Sequence, residues 1–273
     1  MAVEMSEKLL TEFGPVHQPL THLLVRSRSV RSVLRSVERK LVPTPKLSLR
    51  RPAVVTEQLE AQNEAFRAQG WAFIDPFFEP RYFAELRATW PRRSFFAPMH
   101  NPLKSYDFGF RWHRDRPNAP VQRIEPFPAL QAAYDLLRSA ELTERIERFC
   151  ADGIERSCFS LTSTWASARS ALIPHRDTVA LDGAGGSFIN IIMFVDANGQ
   201  APHAGGTCII ADNEYRKVIF EPTELTNSAL MYRSNADFFH GFRPMAPGTF
   251  RWTINAQYSD VAWKPGAADK DAL

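Results

Sequence analysis

The chain has 273 residues, 44% hydrophobic and 12% aromatic, with twenty Phe and a formal net charge of +3. That composition excludes a disordered or fibrous protein, and no run approaches the roughly 18 apolar residues of a membrane-spanning helix. Three cysteines, Cys150, Cys158 and Cys208, are too few and too scattered for a disulfide frame or a zinc set, and they read as reduced thiols of a cytoplasmic protein.

The charge is unevenly spread. Residues 1–51 hold ten Lys/Arg and four Asp/Glu, a net of +6, which leaves −3 for residues 52–273. No sustained apolar region with a small-residue cleavage site marks the N-terminus as a secretory signal. Between Leu20 and Leu41, Leu23, Leu24, Val30, Leu34 and Val37 recur at helical spacing while Arg26, Arg28, Arg31, Arg35 and Arg39 fill other faces. The spacing predicts a basic amphipathic helix over 20–41, which either packs on its own domain or lies peripherally on an anionic membrane face. A Pro-punctuated linker over 42–52 then separates an N-terminal extension, residues 1–51, from a domain over 52–273.

Helical patterns follow at Val55–Gln69, closed by Gly70, and at Glu79–Trp90, closed by Pro91, with a short strand opening at Trp71 between them. Residues 91–128 read as loop with exposed aromatics, Phe95, Phe96, Tyr106, Phe108, Phe110 and Trp112, that cover a site or pack beneath it. Leu130–Leu137 and Glu141–Cys150 return to helical periodicity. From Phe159 the pattern changes to eight short strand-like segments: 159–165, 171–177, 187–195, 206–211, 216–220, 228–232, 238–242 and 250–258. Turns rich in Gly, Pro, Asn and Asp divide them. The fold class predicted is α+β, mainly β: a double-stranded β-helix, or jelly roll, backed by the N-terminal helices.

Within the strands, His175 and Asp177 stand two residues apart, so on a strand they would project to one face. His240 adds a second imidazole. Two histidines and one carboxylate on one side of a metal leave the opposite positions open, the arrangement that suits non-haem Fe(II). Zinc hydrolases use the same ligand types. Arg251 lies eleven residues after His240, far enough for a turn through Pro244–Gly248 and a return strand. On that strand Arg251, Thr253, Asn255 and Gln257 alternate with Phe250, Trp252, Ile254 and Ala256. If the apolar set faces the helices, the polar set lines the barrel, where a buried arginine requires an anion.

The ordered set His175-x-Asp177, His240, Arg251-x-Thr253 resembles the 2-oxoglutarate/Fe(II)-dependent dioxygenase superfamily, in its prolyl-hydroxylase-like branch, over about residues 69–260. The resemblance implies Fe(II) held by His175, Asp177 and His240, with 2-oxoglutarate as cosubstrate beside O2 and ascorbate in support. It implies that Arg251 and the Thr253 hydroxyl bind the distal carboxylate. Asn190, a lone amide in an apolar strand, either contacts the cosubstrate or bonds to backbone. Trp165, ten residues before His175, stands where relatives often place a cosubstrate-binding tyrosine, a hydroxyl that tryptophan lacks. Gly205-Gly206 matches the glycine pair at a tight bend of the family. Halogenating relatives lack the carboxylate, so Asp177 implies hydroxylation, or less often desaturation, rather than halogenation.

His113-Arg-Asp115 repeats the tripeptide in Pro-rich sequence with no following His and Arg at the right spacing, and is set aside. The absence of a phosphate loop and of an Asp-Phe-Gly excludes a kinase. The substrate expected is a small molecule, an amino acid or specialised metabolite, or a lipid-linked sugar if the basic helix meets the inner membrane face. A nucleic acid is not expected, because residues 52–273 carry net negative charge. The alternative from another class is a non-catalytic, cupin-like jelly-roll module binding a saccharide or a partner.

Overall fold

In a computed structural model the protein is described at residues 51–101, 103–114, 124, 126–177, 188–234 and 237–260. The extension over 1–50, with its basic helix, lies outside the described residues. None of the described helices is long and apolar enough to cross a membrane.

The strands are β1 (Trp71–Ile74), β2 (Ala97–His100), β3 (Lys104–His113), β4 (Ser157–Ser167), β5 (Ala171–His175), β6 (Ile189–Asn198), β7 (Cys208–Ile210), β8 (Val218–Phe220), β9 (Ser228–Arg233), β10 (Phe239–Phe242) and β11 (Phe250–Ser259). They form one curled antiparallel sheet in the order β1-β9-β6-β11-β4-β3-β5-β10-β7-β8, with β2 on β3. From β4 onward the chain shuttles between two halves, β4, β11, β6 and β9 on one side and β5, β10, β7 and β8 on the other. That is the double-stranded β-helix. β3 joins the halves on one side by pairing with both β4 and β5.

The eight predicted strands are present, with ends shifted by a few residues. The reading of 91–128 as loop is corrected: β2 and the ten-residue β3 occupy its centre, and residues 115–123 lie outside the description. Aromatic residues that looked loop-like fit a strand because β3 is covered on both faces. Phe110 packs with the helices while Tyr106 and Phe108 face the barrel. Phe110 takes a left-handed φ of 50°, and the β3–β4 register shifts there between Gly109 and Trp112. A bulge breaks the strict alternation by which sequence betrays a strand.

The helices are α1 (Thr56–Ala61), α2 (Asn63–Gln69), α3 (Pro80–Ala88), α4 (Pro128–Leu137) and α5 (Ala140–Cys150). The helix predicted over 55–69 is broken at Gln62, and Gly70, at a left-handed φ of 79°, ends it. In α5, Leu142, Ile146 and Phe149 recur at helical spacing and are buried. Ser139 caps its start, its Oγ accepting from Leu142 N at 3.2 Å. Arg67 and Arg233 donate to the last carbonyls, of Arg148, Phe149 and Cys150, placing positive charge at the negative end of the helix dipole.

The main core lies between helices and sheet. Phe66, Leu86, Leu130, Leu137 and Phe149 meet Ile191, Met193, Met231, Ile254 and Tyr258 there. β6 explains why Phe188–Val195 reads as an apolar run broken only by Asn190. Ile189, Ile191, Met193 and Val195 face the helices, and Ile192 and Phe194 face the barrel interior. Both faces are therefore covered. Asn227 locks β1 to β9: buried, at a φ of 56°, its side chain accepts from Phe78 N and donates to Phe78 O, both at 2.9 Å. Asn227→Ala would leave two buried backbone groups unpaired at a left-handed position. Urea unfolding should show a loss of about 2–4 kcal/mol.

Candidate metal centre

Two strands bring the histidines together. β10 runs antiparallel to β5 with His240 opposite His175, and two residues further along β10 Phe242 is opposite Leu172. Two steps on β10 thus match three on β5, a bulge at Ile173-Pro174. Proline tolerates that position because a bulge leaves a backbone N–H without a ladder partner. Without the extra residue Leu172 and His175 would point to opposite faces. With it, Leu172 joins the interior cluster and His175 faces His240, their ring centroids 4.3 Å apart. Gly241 permits the approach, since a Cβ there would lie 2.5 Å from the Leu172 carbonyl oxygen.

Strand β5 ends at His175, so Asp177 reaches the site from irregular backbone rather than from the strand alternation the sequence suggested. Its Oδ1 lies 3.5 Å from His175 Nε2 and 3.7 Å from His240 Nε2. The three candidate ligand atoms all lie within 4.8 Å of one another. His175 Nδ1 is 2.8 Å from the carbonyl oxygen of Ile173. A carbonyl only accepts, so Nδ1 carries the proton and Nε2 presents its lone pair to the centre. The donor set, two imidazole nitrogens and one carboxylate oxygen converging on a common point, fits a divalent transition metal.

Electrostatics prepares the same state. Burial pushes the His240 imidazole down, and His175 and Lys104 push it further against the opposing pull of Asp177, to about 4. Burial would raise the Asp177 carboxyl, but His240, His175 and Lys104 outweigh it and hold it at about 2. At neutral pH the pair is therefore imidazole and carboxylate, the ligating forms.

Asn190 corrects an expectation. Its amide reaches the metal-site carboxylate, Nδ2 donating to Asp177 Oδ2 at 2.9 Å, while its Oδ1 accepts from Gln257 Nε2 at 2.9 Å. Its partners are side chains rather than the backbone, one of the two contacts the sequence suggested, and they make it a positioning residue for Asp177. Gln257, missed as a site residue, was visible only as one more member of the polar face of β11. Trp165 is also corrected. It pairs with Trp252 across β4 and β11 and packs with Phe96 and Phe250 on the outer, helix-facing side, so it does not enter the barrel.

Arg251 does enter it. Only 3% exposed, it donates through Nη1 to the Gly205 carbonyl and lies 3.3 Å from Thr207 Oγ1. Its guanidinium carbon sits 4.0 Å from the centre of the Phe242 ring. It has no carboxylate partner among the described residues, and its buried Nε has no hydrogen-bond partner. Burial lowers its pKa to about 10 against the opposing effects of Tyr106, Tyr215 and Cys208, which leaves a buried cation at neutral pH. The expected bend is present: Gly205 has a φ of 85°, and a Cβ on it would meet Met245 Sδ at 2.9 Å. The Thr253 hydroxyl is engaged within the protein, 2.5 Å from Thr164 Oγ1 and donating to Asn255 Oδ1 at 3.2 Å. His113 ends β3 rather than lying in loop, against a Phe159 ring, and Asp115 lies outside the described residues.

No family model matches the chain, and no curated protein matches it. Solved structures do. A prolyl-4-hydroxylase from Pseudomonas putida superposes with a TM-score of 0.53 at 16% identity, over 75% of this chain and 100% of that one. An oxidoreductase of the 2OG-Fe(II) oxygenase family from Burkholderia pseudomallei gives 0.52 at 14%, over 74% and 90%. The epimerase SnoN, in complex with Fe3+, alpha ketoglutarate and nogalamycin RO, gives 0.54 at 13%, over 79% and 90%. The chain thus has the fold of the 2-oxoglutarate/Fe(II) oxygenases. From the geometry, His240→Ala should abolish tight binding of Zn(II) or Fe(II) in a metal titration. Asn190→Leu, which frees the Asp177 carboxylate, should weaken it about 10–100-fold.

Proposed function

We propose that the protein is a 2-oxoglutarate- and Fe(II)-dependent oxygenase that hydroxylates an unactivated C–H bond of a small molecule. The observation that carries this reading is the pairing, in one barrel interior, of a three-ligand cluster with a buried arginine that lacks an anion. Either feature alone has other uses. A structural metal site is usually closed by four protein ligands, whereas this cluster offers three among the described residues. A buried guanidinium without a counter-ion is costly unless a ligand supplies one.

Iron with 2-oxoglutarate and O2 supplies the oxidation when bound, with the keto acid converted to succinate and CO2 and one oxygen atom placed on the substrate. The protein's part is placement and charge. His175, Asp177 and His240 hold the ion, and Asn190 and Gln257 keep the Asp177 carboxylate turned toward it. Arg251, oriented by the Gly205 carbonyl and Thr207, receives the distal carboxylate of the keto acid through charge-assisted hydrogen bonds. Thr253 braces Asn255 and Thr164 beside it. With Asp177 retained as a ligand, the reading favours hydroxylation over halogenation. The substrate is a small molecule: an amino acid, a specialised metabolite or a lipid-linked sugar.

Supplied with Fe(II), 2-oxoglutarate and ascorbate, the protein should form succinate with uptake of O2, and a substrate screen by mass spectrometry should reveal a product heavier by one oxygen. His175→Ala should abolish succinate formation. Arg251→Gln should raise the KM for 2-oxoglutarate about 10- to 100-fold, as loss of a hydrogen bond to a charged group implies. Retention of ligand binding by His175→Ala without any turnover in the parent would instead identify a binding module.

A further inference from the structure

The interior faces of β4 and β11 form a ladder in which the reading above leaves Ser160 and Thr162 without a task. Alternation sends Ser160, Thr162 and Thr164 of β4 to the same face as Thr253, Asn255 and Gln257 of β11. The register pairs them rung by rung: Thr164 with Thr253, Thr162 with Asn255, and Ser160 with Gln257. Two observations fix the direction of this face. At one end the Thr164 and Thr253 hydroxyls bond to each other at 2.5 Å. At the other, Gln257 reaches Asp177 through Asn190. The ladder therefore runs along the barrel from the neighbourhood of Arg251 to the candidate metal centre.

Its chemistry is uniform. The hydroxyls of Ser160 and Thr162 have no hydrogen-bond partner among the described residues. Asn255 accepts from Thr253 through Oδ1 and Gln257 donates through Nε2, and among the described residues the Asn255 NH2 group and Gln257 Oε1 have no partner. Ser160, Asn255 and Gln257 are half-buried and Thr162 is 9% exposed. Two hydroxyls, one donor and one acceptor thus face a common space, and none is charged. A hydrocarbon entering there would strip water from them and return no hydrogen bond. On the Thr162–Asn255 and Ser160–Gln257 rungs themselves a carboxylate or phosphate would meet no cation, and an ammonium no carboxylate. The charges lie off these rungs: Arg251 beyond Thr253 at one end, Asp177 behind Asn190 at the other, and the Lys104 ammonium over the Phe108 ring on β3.

Resting on the oxygenase reading, we propose that Ser160, Thr162, Asn255 and Gln257 form the substrate subsite, and that the substrate portion bound beside the metal is neutral and hydroxyl-rich, a sugar or cyclitol ring. Such a ring both donates and accepts at each hydroxyl. It can satisfy all four groups at once, whereas an amino acid brings two charges that the ladder does not answer. A site built on such hydrogen bonds rejects analogues that lack them far more strongly than an apolar pocket rejects a changed methylene.

The test uses the full chain loaded with Zn(II) and 2-oxoglutarate, which permits binding without turnover. Saturation-transfer NMR is recorded with three probe sets of similar size: neutral methyl hexosides and inositols, the corresponding uronic acids, and free amino acids. The neutral set should bind. Thr162→Val and Ser160→Ala, close in shape to the parent side chains, should each weaken it at least about 10-fold, with 2-oxoglutarate affinity unchanged, and Asn255→Leu, read for loss of the neutral set alone, serves if either fails to fold. The proposal is overturned if the neutral set shows no transfer, if uronic or amino acids bind better, or if the variants bind the neutral set as the parent does. Failure of the parent to bind 2-oxoglutarate would count against the oxygenase reading instead. The neutral set is then titrated without the keto acid, and the same criteria decide the subsite.

Discussion

Between Leu172 and His175 on β5 there are three steps, and between Phe242 and His240 on the facing strand there are two. The candidate site depends on this mismatch. A regular ladder would turn either Leu172 or His175 out of the barrel, and with it either the packing beneath Arg251 or a metal ligand. The bulge keeps both inside, Pro174 needs no ladder bond, and Gly241 leaves room for the crowded backbone opposite. Local irregularity in a sheet is therefore the device that places two imidazoles face to face.

Around that pair the barrel interior divides into regions of different polarity. Near one end a guanidinium is held by a carbonyl, a hydroxyl and an aromatic ring, none of which neutralises it. Toward the other, two imidazoles surround a carboxylate that is itself tethered through two amides. An interior of low dielectric strengthens both features, because a buried charge without a partner is expensive and a tethered carboxylate does not relax away from a ligand. The neutral ladder of β4 and β11 lies between and beside them. Charge at both ends with neutral hydrogen-bonding groups along the wall suits two ligands of unlike chemistry in one cavity.

The scaffold is rigid where it must be. β4, β6, β9 and β11 are covered on their outer face by α3, α4, α5 and the aromatic cluster of Trp90, Trp165 and Trp252. Tyr258 donates to the Leu137 carbonyl at 2.6 Å and Tyr134 to that of Phe110 at 2.8 Å, so buried phenols fix the helix layer to the sheet as well as filling it. A strand held on both faces presents its inward side chains with little freedom, as preorganised binding requires.

Much of this was legible in the residue order. The eight strands from β4 to β11, the helical cover and Arg251 on the polar face of the last strand follow from periodicity and spacing, which are local properties of the chain, and the ordered set of His175, Asp177, His240 and Arg251 pointed to the ligands. The remainder depends on contacts between residues far apart. Nothing near Asn190 signals that its amide meets Asp177 and Gln257, and nothing near Trp165 signals that β4 turns it outward against Trp252. β3 was hidden because its bulge and its two covered faces remove the alternation by which a strand is recognised. A sequence determines which side chains a strand offers and how often. Register, bulges and the curl of the sheet decide which of them meet, because those are set by pairing energies summed over strands that the chain brings together only when folded.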